Sequence, residues 1–102
     1  MKKYFICVQW GYTENGPYEE CGIRYSDEDD IEFDLIGHAG NEGIRCSITD
    51  SLEEALLLSH FNPMHIQFEL DEEDMIIKEE ILKDYEWDYY YGLVKKGERN
   101  GL

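Results

Sequence analysis

The chain has 102 residues, 24 of them Asp or Glu and nine Lys or Arg, for a formal net charge of −15 at pH 7. With 42% hydrophobic and 14% aromatic residues there is apolar material for one core. A single domain of this size buries roughly 60 to 70% of its unfolded surface, so it needs neither disulfides nor a structural metal. Eight Tyr, four Phe and two Trp are too many for an acidic disordered tail, and binding to nucleic acid or to an anionic membrane calls for Lys and Arg that this chain lacks.

Lys2 and Lys3 precede an apolar run, Tyr4 to Val8, that ends at Gln9. The run is too short for a signal peptide or a membrane span, and a cytoplasmic protein is expected. Tyr4, Ile6, Val8 and Trp10 alternate with Phe5, Cys7 and Gln9, so the first strand is apolar on nearly both faces and central in its sheet. Residues 13–17 (TENGP) form a turn, and Tyr18 to Tyr25 return as a second strand. Ile31, Phe33 and Leu35 alternate with Asp30, Glu32 and Asp34, which predicts a third strand with one acidic face. After a glycine-rich loop over 37–43, Ile44, Cys46 and Ile48 mark a fourth.

Ser51 followed by Glu54 is a capping-box signal, and Leu52, Ala55, Leu56 and Ser59 space one face of a helix that Asn62 and Pro63 end. Ile66, Phe68 and Leu70 read as a fifth strand. Asp71 to Asp74 suit the start of a second helix, with Ile77 and Ile81 as its apolar face and its end near Lys83. From Tyr85 the period becomes two: Tyr85, Trp87, Tyr89, Tyr91 and Leu93 share one side, with Asp84, Glu86, Asp88 and Tyr90 opposite. This predicts a sixth strand. The polar segment from Lys95 to Leu102 is expected to fray. The expectation is a single small α+β domain over 1–94, with an antiparallel or mixed sheet of about six strands in the order β-β-β-β-α-β-α-β, two helices, and a flexible tail over 95–102.

The acidity is local. Residues 27–34 hold six acids and no base, and residues 69–88 hold ten acids against Lys78 and Lys83; these 28 positions carry −14, and the other 74 carry −1. Two concentrated blocks create a directed field where a merely soluble surface would interleave both signs. On strands, alternate carboxylates stand roughly 6.6 Å apart, so Asp30, Glu32 and Asp34 form one row and Asp84, Glu86 and Asp88 another. The two rows are expected to share one solvent-facing surface. Such rows store like-charge repulsion that ordinary surfaces avoid.

Other chemistry finds little support. A calcium loop starting at Asp27 would need glycine and glutamate where Glu32 and His38 stand, which excludes an EF-hand. His60 and His65, with His38 or Cys46, lack the CxxC or HxxxH spacing of a zinc site, so no metal or cofactor is expected. Ser26, Ser47, Ser51 and Ser59 lie in no nucleophile elbow, and the glycines form neither GxGxxG nor a P-loop, so no enzyme is expected. Cys7, Cys21 and Cys46 sit in strand-like segments, and their odd number points to reduced core thiols.

The candidate partner-binding residues are Asp27, Glu28, Asp29, Asp30, Glu32, Asp34, Asp84, Glu86, Asp88 and Tyr90. By parity Tyr85, Trp87 and Tyr89 belong to the core and Tyr90 to the acidic side. The expected function is inhibition by charge mimicry, the acidic surface occupying the Lys- and Arg-lined cleft of a basic nuclease or other nucleic-acid-binding effector. Anti-CRISPR or anti-restriction proteins and immunity proteins of nuclease toxins use this physics. An adaptor or structural subunit is the alternative from another class.

Overall fold

In the computed structural model the described residues are 2–27 and 43–97. Over them the chain is an α+β domain: β1 (Lys3–Thr13), β2 (Gly16–Ser26), β3 (Gly43–Thr49), α1 (Leu52–Ser59), β4 (Ile66–Glu69), α2 (Glu72–Leu82), β5 (Tyr85–Asp88) and β6 (Gly92–Lys95). Four strands form a mixed sheet in the order β3-β1-β2-β4, and β5 pairs with β6 in a separate two-stranded sheet. The strand expected over 30–35 lies outside the described residues.

β1 is central, as its two apolar faces require. Tyr4, Ile6 and Val8 point to one side, opposite Tyr25, Ile23 and Cys21 of antiparallel β2. Parallel β4 extends this layer by setting Ile66 and Phe68 beside Cys21 and Ile23. Onto it α1 lays Leu52, Ala55 and Leu56, completing the core. The four α1 residues spaced on one face, Ser59 included, are the buried ones. The Ser51 hydroxyl accepts from the Glu54 N–H at 3.2 Å, while the Glu54 carboxylate turns to the Thr49 hydroxyl at 2.8 Å. Only half of the capping box therefore forms. His60 closes the helix in the left-handed region at φ 56.

Elsewhere local rules act through glycine and a long hairpin. Thr13 and Gly16 pair across a two-residue turn, Glu14 and Asn15, and Gly16, the first residue of β2, has φ 115, a conformation that favours glycine. Gly43 lies opposite Trp10, whose indole covers the position a Cβ would occupy.

The second helix departs from expectation. Its fully buried residues are Asp74 and Lys78; of the two isoleucines expected inward, Ile81 packs against the core, while Ile77 is left largely exposed on the flank. Asp74, only 2% exposed, accepts the Tyr4 hydroxyl at 3.0 Å, and Lys2 Nζ lies 3.1 Å from its other oxygen as an ion pair. Lys2 also donates to Asp71 at 2.6 Å, and Asp71 caps the helix by accepting the Asp74 N–H at 2.8 Å. Lys2 holds the Asp71 carboxyl below the usual range, and the two carboxylates hold the Lys2 ammonium above its own. One turn on, the Lys78 ammonium sits 4.3 Å from the Phe68 ring centroid and 3.1 Å from Glu79, with its stem packed inward. These contacts with β1 and β4 turn Asp74 and Lys78 inward beside Ile81, which packs against the core.

The segment expected as one strand over 85–93 is a hairpin. Tyr85 pairs with Lys95, Trp87 with Leu93 and Asp88 with Gly92, leaving Tyr89, Tyr90 and Tyr91 as a three-residue loop. The Asp88 carboxylate accepts the N–H groups of Tyr90 and Tyr91 at 2.8 and 3.0 Å, and Gly92 follows at φ 76. A side-chain oxygen bonded two and three residues ahead turns the chain, and a left-handed glycine brings it back into the ladder. Lys95 still belongs to β6, and the Lys96 N–H donates to the Asp84 carbonyl at 2.9 Å. Tyr85 fastens this hairpin to α1 by donating its hydroxyl to Glu53.

Burial, and then the bond to Asp74, push the Tyr4 hydroxyl up to about 12. The folded state holds this proton more tightly than the unfolded chain, whose tyrosines titrate near 10. The resulting stability is complete below pH 10 and is lost as pH rises from about 10 to about 12. Tyr4→Phe should cost about 1 to 2 kcal/mol in urea unfolding at pH 7, and wild type and variant should converge through that alkaline window. A gap that stays constant across it would show that the Asp74 bond is not the source.

Candidate protein-interaction surface

A helix repeats its faces every 3.6 residues, so turning Asp74, Lys78 and Ile81 inward places Glu72, Glu73, Ile76, Glu79, Glu80 and Lys83 on the opposite side and leaves Ile77, four residues before Ile81, on the flank. Glu72, Glu73, Glu79 and Glu80 are exposed, and Ile76 stands among them with 66% of its surface in water; Ile77 has 41%. Fully burying a side chain of this size is worth about 1.5 to 3 kcal/mol, of which the isolated fold forgoes about two thirds at Ile76. Lys83 is the one cation on the stripe, 2.7 Å from Glu80, and that carboxylate holds it above the usual lysine range. Both partners of this pair are exposed, so it contributes little stability.

The acids sit unevenly in the helix field. Glu72 and Glu73 lie in the first turn, where the partial positive charge of the N-terminus favours them. Glu79 and Glu80 lie toward the other end, where the dipole opposes them and ion pairs with Lys78 and Lys83 offset it. The outward face is thus an apolar spot ringed by carboxylates.

Two residues beyond the helix begins the hairpin that ends in Tyr89, Tyr90 and Tyr91, exposed by 85, 85 and 78%. Tyr89 and Tyr90 meet edge to face, their centroids 5.2 Å apart at 87°. Rigid aromatic side chains at a hydrogen-bonded tip lose little entropy on binding, and tyrosine is among the residues that dominate protein interfaces.

The expected site residues are dispersed by this arrangement. Glu28, Asp29, Asp30, Glu32 and Asp34 lie outside the described residues, and with them the expectation that the two acidic rows share one surface. Asp27 is exposed just beyond β2. Asp84 is exposed in the turn between α2 and β5, and Glu86 is half-buried opposite Val94. Asp88 is not part of a solvent-facing row: it is 7% exposed and occupied by the two tyrosine N–H groups. Tyr90 is exposed as expected, but Tyr89, assigned to the core by parity, is exposed with it, because the loop ends the alternation at Asp88. Tyr85 is buried and Trp87 is half-buried, in line with their core assignment.

Sequence reasoning missed Ile76, the Glu72, Glu73, Glu79 and Glu80 ring, and the full tyrosine tip. The tip had a signal, since Asp88 and Gly92 bracket three residues in the pattern of a three-residue hairpin loop. Among the described residues, no group of three His, Cys, Asp or Glu side chains is arranged to hold a metal ion, and no helix is long and apolar enough to cross a membrane.

If Asp88 holds the tip, Asp88→Ala should raise the amide exchange rates of Tyr90 and Tyr91 at least about tenfold and lower stability by about 1 to 2 kcal/mol. Asp88→Asn, which keeps an acceptor oxygen, should fall between the two. Unchanged exchange at both amides in the alanine variant would assign the turn to Gly92 alone.

With this geometry in place, comparison of the chain with protein-family models, with curated proteins and with solved structures finds no match.

Proposed function

We propose that the protein acts by binding, and that it inhibits a basic nuclease or other nucleic-acid-binding effector by occupying the cleft that would hold nucleic acid, in the manner of anti-CRISPR and anti-restriction proteins. The observation that carries this reading is the outward face of α2, where Glu72, Glu73, Glu79 and Glu80 surround the exposed Ile76. A cleft that accepts phosphates offers Lys and Arg, and carboxylates presented in their place satisfy those cations without supplying a substrate. The isoleucines supply the apolar contact that gives the complex a long residence time, and the net charge of −15 draws it in through steering. An immunity protein that neutralises a cognate nuclease toxin would use the same contacts.

The exposed tyrosine tip and Ile76 also favour a second reading, a non-inhibitory adaptor whose binding is mainly apolar. Salt separates the two, because steering between unlike charges is screened within a Debye length of about 8 Å at physiological ionic strength, while apolar burial is not.

The test mixes the purified protein with a candidate basic nuclease and its labelled duplex, in series with Glu72→Lys/Glu73→Lys/Glu79→Lys and with Ile76→Ser/Ile77→Ser. The charge-reversed triple variant should associate at least about tenfold more slowly at low salt and fail to block substrate binding. The isoleucine variant should associate at the wild-type rate and dissociate faster. Both should remain folded, the charge-reversed form with a lower melting temperature because Glu72 and Glu73 favour the helix N-terminus and Glu79 pairs with Lys78, so inhibition is read at a temperature where circular dichroism shows each variant fully folded. Equal inhibition by wild type and the charge-reversed form would reject charge mimicry.

A further inference from the structure

The side of the sheet away from α1 carries Phe5, Cys7 and Gln9 of β1 between Ile44, Cys46 and Ile48 of β3 and Glu20, Gly22 and Arg24 of β2. Cys7 and Cys46 are directly opposed across the antiparallel pair, and their sulfurs lie 2.9 Å apart. Opposed residues on such strands have Cα atoms about 4.5 to 5.5 Å apart, inside the span of about 4.4 to 6.8 Å that a disulfide bridges. The third cysteine is excluded by parity. Cys21 pairs with Val8, faces the helix side and is 2% exposed, so the expectation of three equivalent core thiols holds for Cys21 alone.

Cys7 and Cys46 are both half-buried, and a groove reaches the pair on the Cys7 side. The groove, of about 250 Å3, opens on this face, lined by Phe5, Cys7, Gly22, Arg24, Gln67 and Glu69 among others. Gly22 leaves it open, since the nearest atom to a Cβ there is the Gln67 carbonyl oxygen at 3.8 Å. Cys7 lines the groove and Cys46 does not. Burial, with the hydrogen bond to Cys7, pushes the Cys46 thiol up to about 12, so Cys46 is slow to ionise by itself.

We propose that Cys7 and Cys46 are a reversible redox pair that closes to a disulfide by exchange with a low-molecular-weight disulfide such as oxidised glutathione. The Cys7 thiolate, reached through the groove, attacks one sulfur of oxidised glutathione. A mixed disulfide forms, and the glutathione thiolate that leaves takes up the proton Cys7 had released. Cys46 then gives up its proton and attacks the Cys7 sulfur from 2.9 Å, expelling the second glutathione, which is protonated in turn. Two cysteine thiols are oxidised and one glutathione disulfide is reduced to two glutathione thiols. The bond joins β1 to β3, an edge of the described sheet, across 39 residues of chain, and so constrains the unfolded state strongly. This inference rests on the sheet register and is independent of the partner reading.

The experiment incubates the fully reduced chain with oxidised glutathione at graded ratios to reduced glutathione and reads intact mass, linked peptides and melting temperature. The expected result is the loss of two hydrogens, a Cys7–Cys46 peptide, Cys21 alkylated only after denaturation, and a melting temperature raised by about 10 °C that dithiothreitol reverses. Cys46→Ser should stop with one glutathione on Cys7, and Cys7→Ser should take up none. Wild type that stays reduced at every ratio, keeps a glutathione without closing, or links Cys21 would overturn the pair. An adduct on Cys46 in Cys7→Ser would overturn the order of attack.

Discussion

A buried carboxylate sets the orientation of the acidic helix. Asp74 receives the Tyr4 hydroxyl and the charge of Lys2, and it lies under the first turn of α2, so the azimuth of that helix is decided by polar contacts with β1. Removing one partner of such a group is expensive, because the charge it leaves has no water to turn to. That cost makes the inward choice of Asp74 and Lys78 a firm one and commits Glu72, Glu73, Ile76, Glu79 and Glu80 to solvent. The acids therefore act as an outward surface because a different acid of the same helix acts as its anchor.

Two kinds of local cost accumulate on that surface. Ile76 remains in water, and Glu79 and Glu80 sit where the helix dipole disfavours them. Each amounts to a few tenths of a kcal/mol up to about 2 kcal/mol, small beside a typical domain stability of 5 to 15 kcal/mol but large enough to be recovered in an interface. The tyrosine tip adds a third element of the same kind: three large rings stand in water on a loop whose backbone the Asp88 carboxylate holds at Tyr90 and Tyr91. Large apolar side chains are exposed elsewhere too, at Tyr12, Ile48 and Met64, and the stretch from Glu72 to Tyr91 is distinguished by setting Ile76 among exposed carboxylates.

The other side of β1 obeys a different logic. Its helix-facing residues are aliphatic or aromatic and closed, while Cys7 faces a groove with a guanidinium and a carboxylate on its walls. A central strand with two unlike apolar faces lets one cysteine position be reactive and the neighbouring strand's Cys21 be inert, although both lie in apolar runs of the sequence. Parity in the sheet separates them.

Much of the architecture was legible in the sequence because it follows from period and punctuation. The two-faced alternation from Tyr4 to Trp10 marked a central strand, Ser51 and Pro63 bracketed a helix whose inward residues were read correctly, and Ile66 and Phe68 alternated as β4 does. The site was less legible, for two physical reasons. In α2 the pair of isoleucines was half right, since Ile81 packs inward, but partners from β1 and β4, distant in sequence, turn Asp74 and Lys78 in beside it with hydrogen bonds and charge that no window of 11 residues contains. At Asp88 the alternation of aromatic and acidic residues continued through a loop whose turn is made by a side chain bonding its own backbone, so the pattern persisted while the strand did not. The sequence by itself determined the class of fold, the central strand and the concentration of charge, because these depend on residue type and spacing. Only the tertiary structure decided which carboxylates are anchors and which face solvent, because that depends on which atoms meet across 70 residues of chain.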